Sequence, residues 1–316
     1  MDSGRKYKLP NNMALLPTIT IGIPAYNEEA NIEHLLNDLL KQRGHGFVIE
    51  RILVMSDGSS DETVSRARSL ADDRIVVLED HLRKGKSLRQ NDIIDRTTSD
   101  ILVFLDADII ISDCYFIDRL IRPLLREEAD LVSGTLLEVT PENFLEKMLF
   151  ASMEFKRLVF RLFRGGDNMY NCVGPVRAFR RRLYQTIRFR PNIADDMYTY
   201  LFCTNNGFTF AFVPEAVVRY QLPGTLSDYF KQSFRYNDYL GKADEHFSHD
   251  FIVRHTRVPF VIYLVAGMVT LMKNPLSFSG YIGLKIMTRI VYLVSRRSHA
   301  DTWETVQTSK VLRRIV

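Results

Sequence analysis

Two aspartates separated by one residue, Asp106 and Asp108, follow the uninterrupted apolar run Ile-Leu-Val-Phe-Leu at 101–105. Side chains two apart on an extended chain point the same way, so both carboxylates can face one ligand. Paired carboxylates at a strand end suit magnesium or manganese, hard cations that keep some waters and take their remaining oxygens from a diphosphate. An isolated pair of this kind usually amounts to two solvated loop acids. Here the apolar strand before it and the further motifs below favour a site.

Other segments carry chemistry only in combination. Asp57, in Ser56-Asp57-Gly58-Ser59-Ser60-Asp61, is placed to accept a hydrogen bond from a base N–H, and Gly58 permits close backbone approach. The same residues also read as ordinary turn and cap chemistry. Pro24-Ala25-Tyr26-Asn27-Glu28-Glu29 is equally a loop and helix start. Lys84-Gly85-Lys86, with Arg83 and Arg89, offers cations to phosphates or forms a solvated basic turn. Asp195-Asp196 precedes a helix-like stretch, 197–204, where the helix dipole favours acids; a carboxylate there could also take a proton from an acceptor hydroxyl. The residues alone leave both readings open.

The elements that must position these groups are legible in the first half. Strand patterns at 18–24, 51–55, 74–78 and 101–105 alternate with helical patterns at 32–42, 61–70, 86–96 and 114–127. Strands spaced by helices predict an α/β fold with a mostly parallel central sheet covered on both faces. Ligands of such sheets collect beyond the carboxyl ends of the strands, where Tyr26–Glu29, Ser56–Asp61 and Asp106–Asp108 fall. Ser59 and Glu62 stand at capping-box spacing and mark a helix start. The second half changes character. Residues 141–164 predict a long helix with an apolar body and a basic fringe of Lys147, Lys156, Arg157, Arg161 and Arg164, suited to a membrane surface or to a core helix with a solvated edge. A further helix carries Tyr229, Phe230, Phe234 and Tyr236, and 251–294 alternates apolar blocks with Arg254, Arg257, Lys273, Lys285 and Arg289.

Six of these pieces, taken in order, resemble the family 2 glycosyltransferases, and most of all the membrane-associated branch with the cellulose and hyaluronan synthases. They are PAYNEE at 24–29, SDGSSDET at 56–63, RKGK at 83–86, LDAD at 105–108, ADD at 194–196 and QSFRY at 232–236, together spanning about 18–240. The resemblance implies a GT-A type nucleotide-binding fold, a UDP-sugar donor, a divalent metal (Mn or Mg) and inversion at the anomeric carbon. It assigns Pro24, Tyr26, Glu28 and Asp57 to the uridine, Lys84 or Lys86 to the diphosphate side, and Asp106 and Asp108 to metal and donor. Asp196 would be the general base with Asp195 beside it. Gln232, Arg235 and Tyr236 match a QxxRW motif that meets the diphosphate and the acceptor, and Gly174 matches an acceptor loop. Departures are alanine and aspartate before Asp196, Tyr236 in place of tryptophan, and the missing spanning helices. A single transfer or short extension of a sugar or lipid-linked acceptor is therefore expected. The competing readings are a non-catalytic nucleotide-sugar-binding protein and a nucleotidyltransferase, the second lacking its Gly-rich loop near the N-terminus.

Composition sets the frame. A chain of 316 residues, 46% hydrophobic and 25% charged, buries a full core. With 42 Lys and Arg against 38 Asp and Glu, its small surplus gives no reason to expect nucleic acid as a partner. Three cysteines without a CxxC pair, and a polar 1–12 without a secretory pattern, lead to an expectation of cytoplasmic chemistry, and the amphipathic 141–164 and the apolar blocks after Val258 to one of a peripheral place on the inner membrane face. The longest apolar stretch, 258–272, would make a helix about 22 Å long against a bilayer core of roughly 30 Å, and so need not span it. The domain expectation is a catalytic unit over 1–253 and C-terminal amphipathic helices over 254–316, in contact with a membrane surface.

Overall fold

The computed structural model describes residues 16–191, 193–240, 242–295, 307–310 and 312–313, with side chains outside 234–240, 292–295, 307 and 309. The strands are β1 (Thr18–Ala25), β2 (Val48–Asp57), β3 (Ile75–Asp80), β4 (Ile101–Leu105), β5 (Ile110–Ile111), β6 (Leu131–Glu138), β7 (Val176–Arg180) and β8 (Phe210–Tyr220). Helices are α1 (Ile32–Leu40), α2 (Thr63–Arg68), α3 (Lys86–Asp95), α4 (Phe116–Leu125), α5 (Phe144–Leu162), α6 (Arg181–Tyr184), α7 (Asp195–Asn205), α8 (Leu226–Leu240), α9 (His249–Thr256), α10 (Phe260–Lys273), α11 (Pro275–Ser295) and α12 (Gln307–Lys310).

The strands form one sheet in the order β3-β2-β1-β4-β7-β6-β8-β5. As the strand–helix alternation predicts, β1 runs parallel to β2 and β4, and β2 to β3. Their side chains divide between two apolar layers. Ile19, Ile21, Ile23, Val103 and Leu105 pack towards α1 and α4, while Leu102 and Phe104 pack on the other face with Ile93 and Leu201. Phe104 meets Phe179 and Phe189 edge-on, at 5.6 and 5.8 Å between centroids.

Beyond β4 the sheet turns mixed, with β7 antiparallel to both β4 and β6. Strands β5 to β8 lie outside the predicted set, and their sequences explain why. β8 contains Pro214, which cannot donate to a ladder. The structure accommodates it by an irregularity: Gly134 pairs with Val213, but its neighbour Thr135 pairs with Val217. Only glycine fits there, because a Cβ on Gly134 would lie 2.3 Å from the Ala216 carbonyl oxygen. The predicted capping box is also corrected. α2 begins at Thr63 behind Glu62, which makes no side-chain cap, and Asp61 Oδ1 instead accepts the Thr63 N–H at 3.0 Å.

The basic helix α5 is not an outer surface. It packs against α10 and α11, and these carry the exposed apolar side chains Phe260, Met272 and Leu276, at 73%, 84% and 80% exposure. The stretch His249–Lys273 is long and apolar enough to cross a membrane by length and composition, with 17% of its most apolar window buried. It is interrupted between α9 and α10 at Arg257–Pro259, so neither piece alone spans about 30 Å.

β7 brings one buried charge to the centre. The Arg177 guanidinium, fully buried, donates to the Asp195 carbonyl at 2.8 Å and to Thr199 Oγ1 at 2.7 Å, and pairs with the Asp195 carboxylate. Arg177→Met leaves that buried acid short of its main counter-charge, a loss of about 3 kcal/mol. Urea unfolding should show a lower midpoint at unchanged slope, and an unaltered midpoint would show that this pair does not hold β7 to α7.

Candidate active site

Parallel pairing brings the ends of β1, β2 and β4 to one edge, with Ala25 opposite Ser56. The two loops that leave β1 and β2 are stitched together by their own polar side chains. Ser59 Oγ accepts the Asn27 N–H at 3.1 Å, Asn27 Oδ1 accepts the Ser60 N–H at 2.9 Å, and Thr63 Oγ1 accepts the Glu28 N–H at 2.7 Å. Asn27 holds φ at 51°, a left-handed conformation that asparagine tolerates better than most residues. Motifs that read separately as loop chemistry thus form one rigid rim.

Asp57 organises the third loop. Its carboxylate accepts the backbone N–H groups of Lys84 at 2.7 Å and Gly85 at 2.9 Å, and the Arg89 Nε at 2.7 Å. Gly85 sits at φ +90°, where a side chain would be strained. The clamp fixes the start of α3 and so the direction of Lys86. Lys84 sends its ammonium to Asp80, at 2.8 Å. The half-buried Lys86 ammonium reaches Asp106 Oδ1 at 2.6 Å and Asp195 Oδ2 at 3.3 Å.

The two acids at the head of α7 live in different fields. Asp195 is gripped by Arg177 and Lys86 and by Gln90 Nε2 at 3.0 Å. Burial opposes its charge, yet Arg177 and then Lys86 hold its carboxyl well below the usual carboxylate range. Asp196 accepts the Met197 N–H at 2.7 Å. Burial first, and then the Asp195 charge, push its carboxyl upwards. Neighbouring carboxylates whose environments drive them apart divide the work: one stays an anion, the other is poised to exchange a proton.

Pro24, Tyr26, Glu28, Asp57, Lys84, Lys86, Asp106, Asp108, Gly174, Asp195, Asp196 and Gln232 all line one cavity of about 1220 Å³. A Cβ on Gly174 would lie 3.6 Å from Asp195 and 3.7 Å from Lys86, so this residue backs the ion pair. Arg235 and Tyr236 belong to α8, but their side chains lie outside those described. Among the described residues no group of three metal-ligating side chains occurs. Asp106 and Asp108 are nonetheless a fitting pair for magnesium or manganese. Burial and then Asp106 push the Asp108 carboxyl upwards, a shortage of positive charge that a divalent cation completed by water and a diphosphate would relieve.

Two contributors have no short-range signal in the sequence. Arg177 stands in a strand the pattern does not reveal. Lys310, in α12, returns from far along the chain: its ammonium donates to the carbonyls of Tyr26 and Asn27 and pairs with Glu28 Oε1 at 2.7 Å. Thr308 ties the same segment to Asp228, and Arg313 ties it to Glu146. Glu28 needs this cation, because burial, together with Asp108, pushes its carboxyl up to about 7 despite Lys310 and Asn31. Tyr26 is flanked by Arg83, 4.0 Å from its ring centroid, and by Lys310 at 5.6 Å.

Comparison with known proteins agrees with this geometry. The chain is 25% identical over 245 residues to an N-acetylglucosaminyltransferase of Azorhizobium caulinodans, covering 71% of this chain and 60% of that protein. It is 32% identical over 165 residues to the 4,4'-diaponeurosporenoate glycosyltransferase of Staphylococcus aureus, covering 50% of this chain and 43% of that one. The match thus spans less than two thirds of either relative. Among solved structures, the mannosyltransferase PcManGT of Pyrobaculum calidifontis, in complex with GDP-Man and Mn2+, superposes with a TM-score of 0.60 at 17% identity, over 93% of this chain and 92% of that one. The glucosyl-3-phosphoglycerate synthase of Mycobacterium tuberculosis, in complex with UDP, gives 0.51 at 22% identity, over 72% of this chain and 80% of that one. Both share the GT-A-like fold, a mostly parallel curled sheet with C-terminal helices. The pattern of Glycosyl transferase family 2 matches residues 20–188, more than half of the chain, and the protein belongs to that family.

Proposed function

We propose that the chain is an inverting glycosyltransferase, moving a sugar from a UDP-sugar to a hydroxyl of a lipid-linked or polysaccharide acceptor at a membrane surface. The observation that carries this reading is the gathering of Asp106, Asp108 and the upward-shifted Asp196 around one cavity, with Asp195 kept as an anion beside them. The acceptor oxygen attacks the anomeric carbon as the bond from that carbon to the diphosphate breaks. Asp196 takes the hydroxyl proton, and the nucleoside diphosphate leaves with the bonding electrons. Lys86 and Arg177 keep Asp195 ionised, so the protonation change falls on Asp196. Tyr26, Glu28 and Asp57 line the part of the cavity where the nucleoside would lie, with Lys84 or Lys86 for the diphosphate and Gly174 and Gln232 for the acceptor, and the family resemblance would add Arg235 at the diphosphate and Tyr236 at the acceptor. A divalent ion held by Asp106 and Asp108 would neutralise charge on the departing diphosphate.

The donor and location rest on separate supports. Family resemblance favours UDP, and the exposed apolar faces of α10 and α11, bracketed by Arg257, Lys273, Lys285 and Arg289, favour a protein lying on the cytoplasmic membrane face. In this reading residues 254–295 form the membrane-facing part and the sheet with its helices the catalytic part.

Asp196→Asn should lower turnover by about 10²- to 10⁴-fold while UDP binding, measured by calorimetry, stays close to that of the parent chain. Normal turnover in that variant removes the assignment. Because burial and Asp195 raise the Asp196 carboxyl, the acid form persists to higher pH than usual, and the acid form cannot accept a proton. The rate should therefore fall with decreasing pH on a limb centred above about 4, the ordinary carboxylate value. A limb at or below that value would contradict the assignment. A panel of UDP- and GDP-sugars, with manganese or with a chelator, should show metal-dependent release of UDP; release of GDP alone would overturn the donor, and full activity in chelator would overturn the metal. On cell fractionation the chain should sediment with membranes and need detergent for release, whereas a detergent-free soluble protein indifferent to anionic vesicles would refute membrane attachment.

A further inference from the structure

The far side of the cavity is lined by one face of α5, a helix the transfer chemistry does not use. Met153, Lys156, Arg157, Phe160 and Arg161 follow one another at helical spacing and all reach the cavity wall. On the facing helix α10, Val269, Thr270 and Lys273 line the same space. Of the four cations, Arg157 is satisfied by Glu138, with Nη1 2.6 Å from both carboxylate oxygens. Lys156, Arg161 and Lys273 form no ion pair among the described residues, and the nearest partner of the half-buried Lys156 ammonium is the Met153 sulfur at 3.8 Å. The lining carboxylate Glu154 is engaged by Asn274 Nδ2 at 2.6 Å.

Lys156 is half-buried, with Glu138 acting on it only at a distance, while Arg161 and Lys273 stand exposed at the cavity's mouth, so an anion arriving there meets one sheltered cation and two accessible ones. Burial, with Lys285 adding to it, pulls the Lys156 ammonium down to about 8, and an arriving anion would favour its charged form. The walls around these cations are Met153, Leu158, Phe160, Tyr170 and Val269, which suit a hydrocarbon and not a free ion. α10 also connects the recess to the outside, since Met268, Leu271 and Met272 on the same helix are exposed.

We propose that Lys156, Arg161 and Lys273 form a binding site for the phosphate head group of a lipid-linked acceptor, whose hydrocarbon chain runs along α10 and α11 into the membrane. The site extends the transfer reading, on which it rests, by separating the acceptor's phosphate from its reacting hydroxyl: the phosphate is held by α5 and α10 and the hydroxyl is presented at Asp196. Lys156 is a positioning residue in this scheme.

Binding of farnesyl phosphate, farnesol and inorganic phosphate to the full chain in detergent tests it, with UDP titrated in parallel. Farnesyl phosphate should bind, and Lys156→Met should weaken it about ten-fold or more, while Lys156→Arg retains it. UDP should bind both variants like the parent chain. Where Lys156→Met fails to fold, Lys273→Met, at an exposed position, should give the same loss. Equal affinity of parent and methionine variants for farnesyl phosphate, or equal binding of farnesol and farnesyl phosphate, overturns the head-group site. Inorganic phosphate binding as tightly as farnesyl phosphate overturns the lipid as its source. A chain that binds farnesyl phosphate through Lys156, yet releases no nucleotide from any sugar donor, refutes the transfer reading and leaves this one standing.

Discussion

One half-buried ammonium joins the halves of the site. Lys86 touches Asp106, at the end of β4, and Asp195, at the head of α7, two acids nearly ninety residues apart. Each would be costly to bury alone, and together they would repel one another and pull the loops apart. The cation between them requires both to be present in one place, so the strand that leads into the paired aspartates and the helix that begins with Asp195 and Asp196 take fixed positions relative to each other. Asp57 sets up this contact from behind, because its grip on the amides of Lys84 and Gly85 decides where Lys86 points.

The same network sorts the acids by role. Arg177 and Lys86 concentrate positive charge on Asp195, leaving Asp196 with burial and a neighbouring anion. A single residue step along the first turn of a helix therefore separates a carboxyl held low from one pushed upwards. Fixed dipoles and charges prepared before substrate arrives need no rearrangement during reaction, which is where enzymes gain most of their electrostatic effect.

Around this centre the chain closes from both sides. α5 lines the cavity with Lys156, Arg157 and Arg161 and packs against α10 and α11, which present apolar surface outward. On the opposite rim, Lys310 meets the loop after β1, Thr308 meets Gly224 and Asp228 at the start of α8, and Arg313 meets Glu146 in α5. The C-terminal residues thus take part in the cavity wall at Glu28 as well as in the outer helices.

The sequence by itself determined the parallel part of the sheet, the helices between its strands, and the edge at which Tyr26, Asp57, Asp106 and Asp108 meet. Those features follow from local periodicity and from the rule that connects strand ends to binding sites, and both act over a few residues. Strands β6 and β8 escaped that reading because Pro214 and Gly134 break the pattern, and their pairing becomes favourable only once the two are side by side. The choice between loop chemistry and site chemistry at Asp57, Lys86 and Asp195 belonged to the tertiary structure, as did the contributions of Arg177 and Lys310. Charge compensation in a buried setting depends on distance in space, and partners separated by eighteen residues or by more than two hundred and eighty leave no periodic trace along the chain.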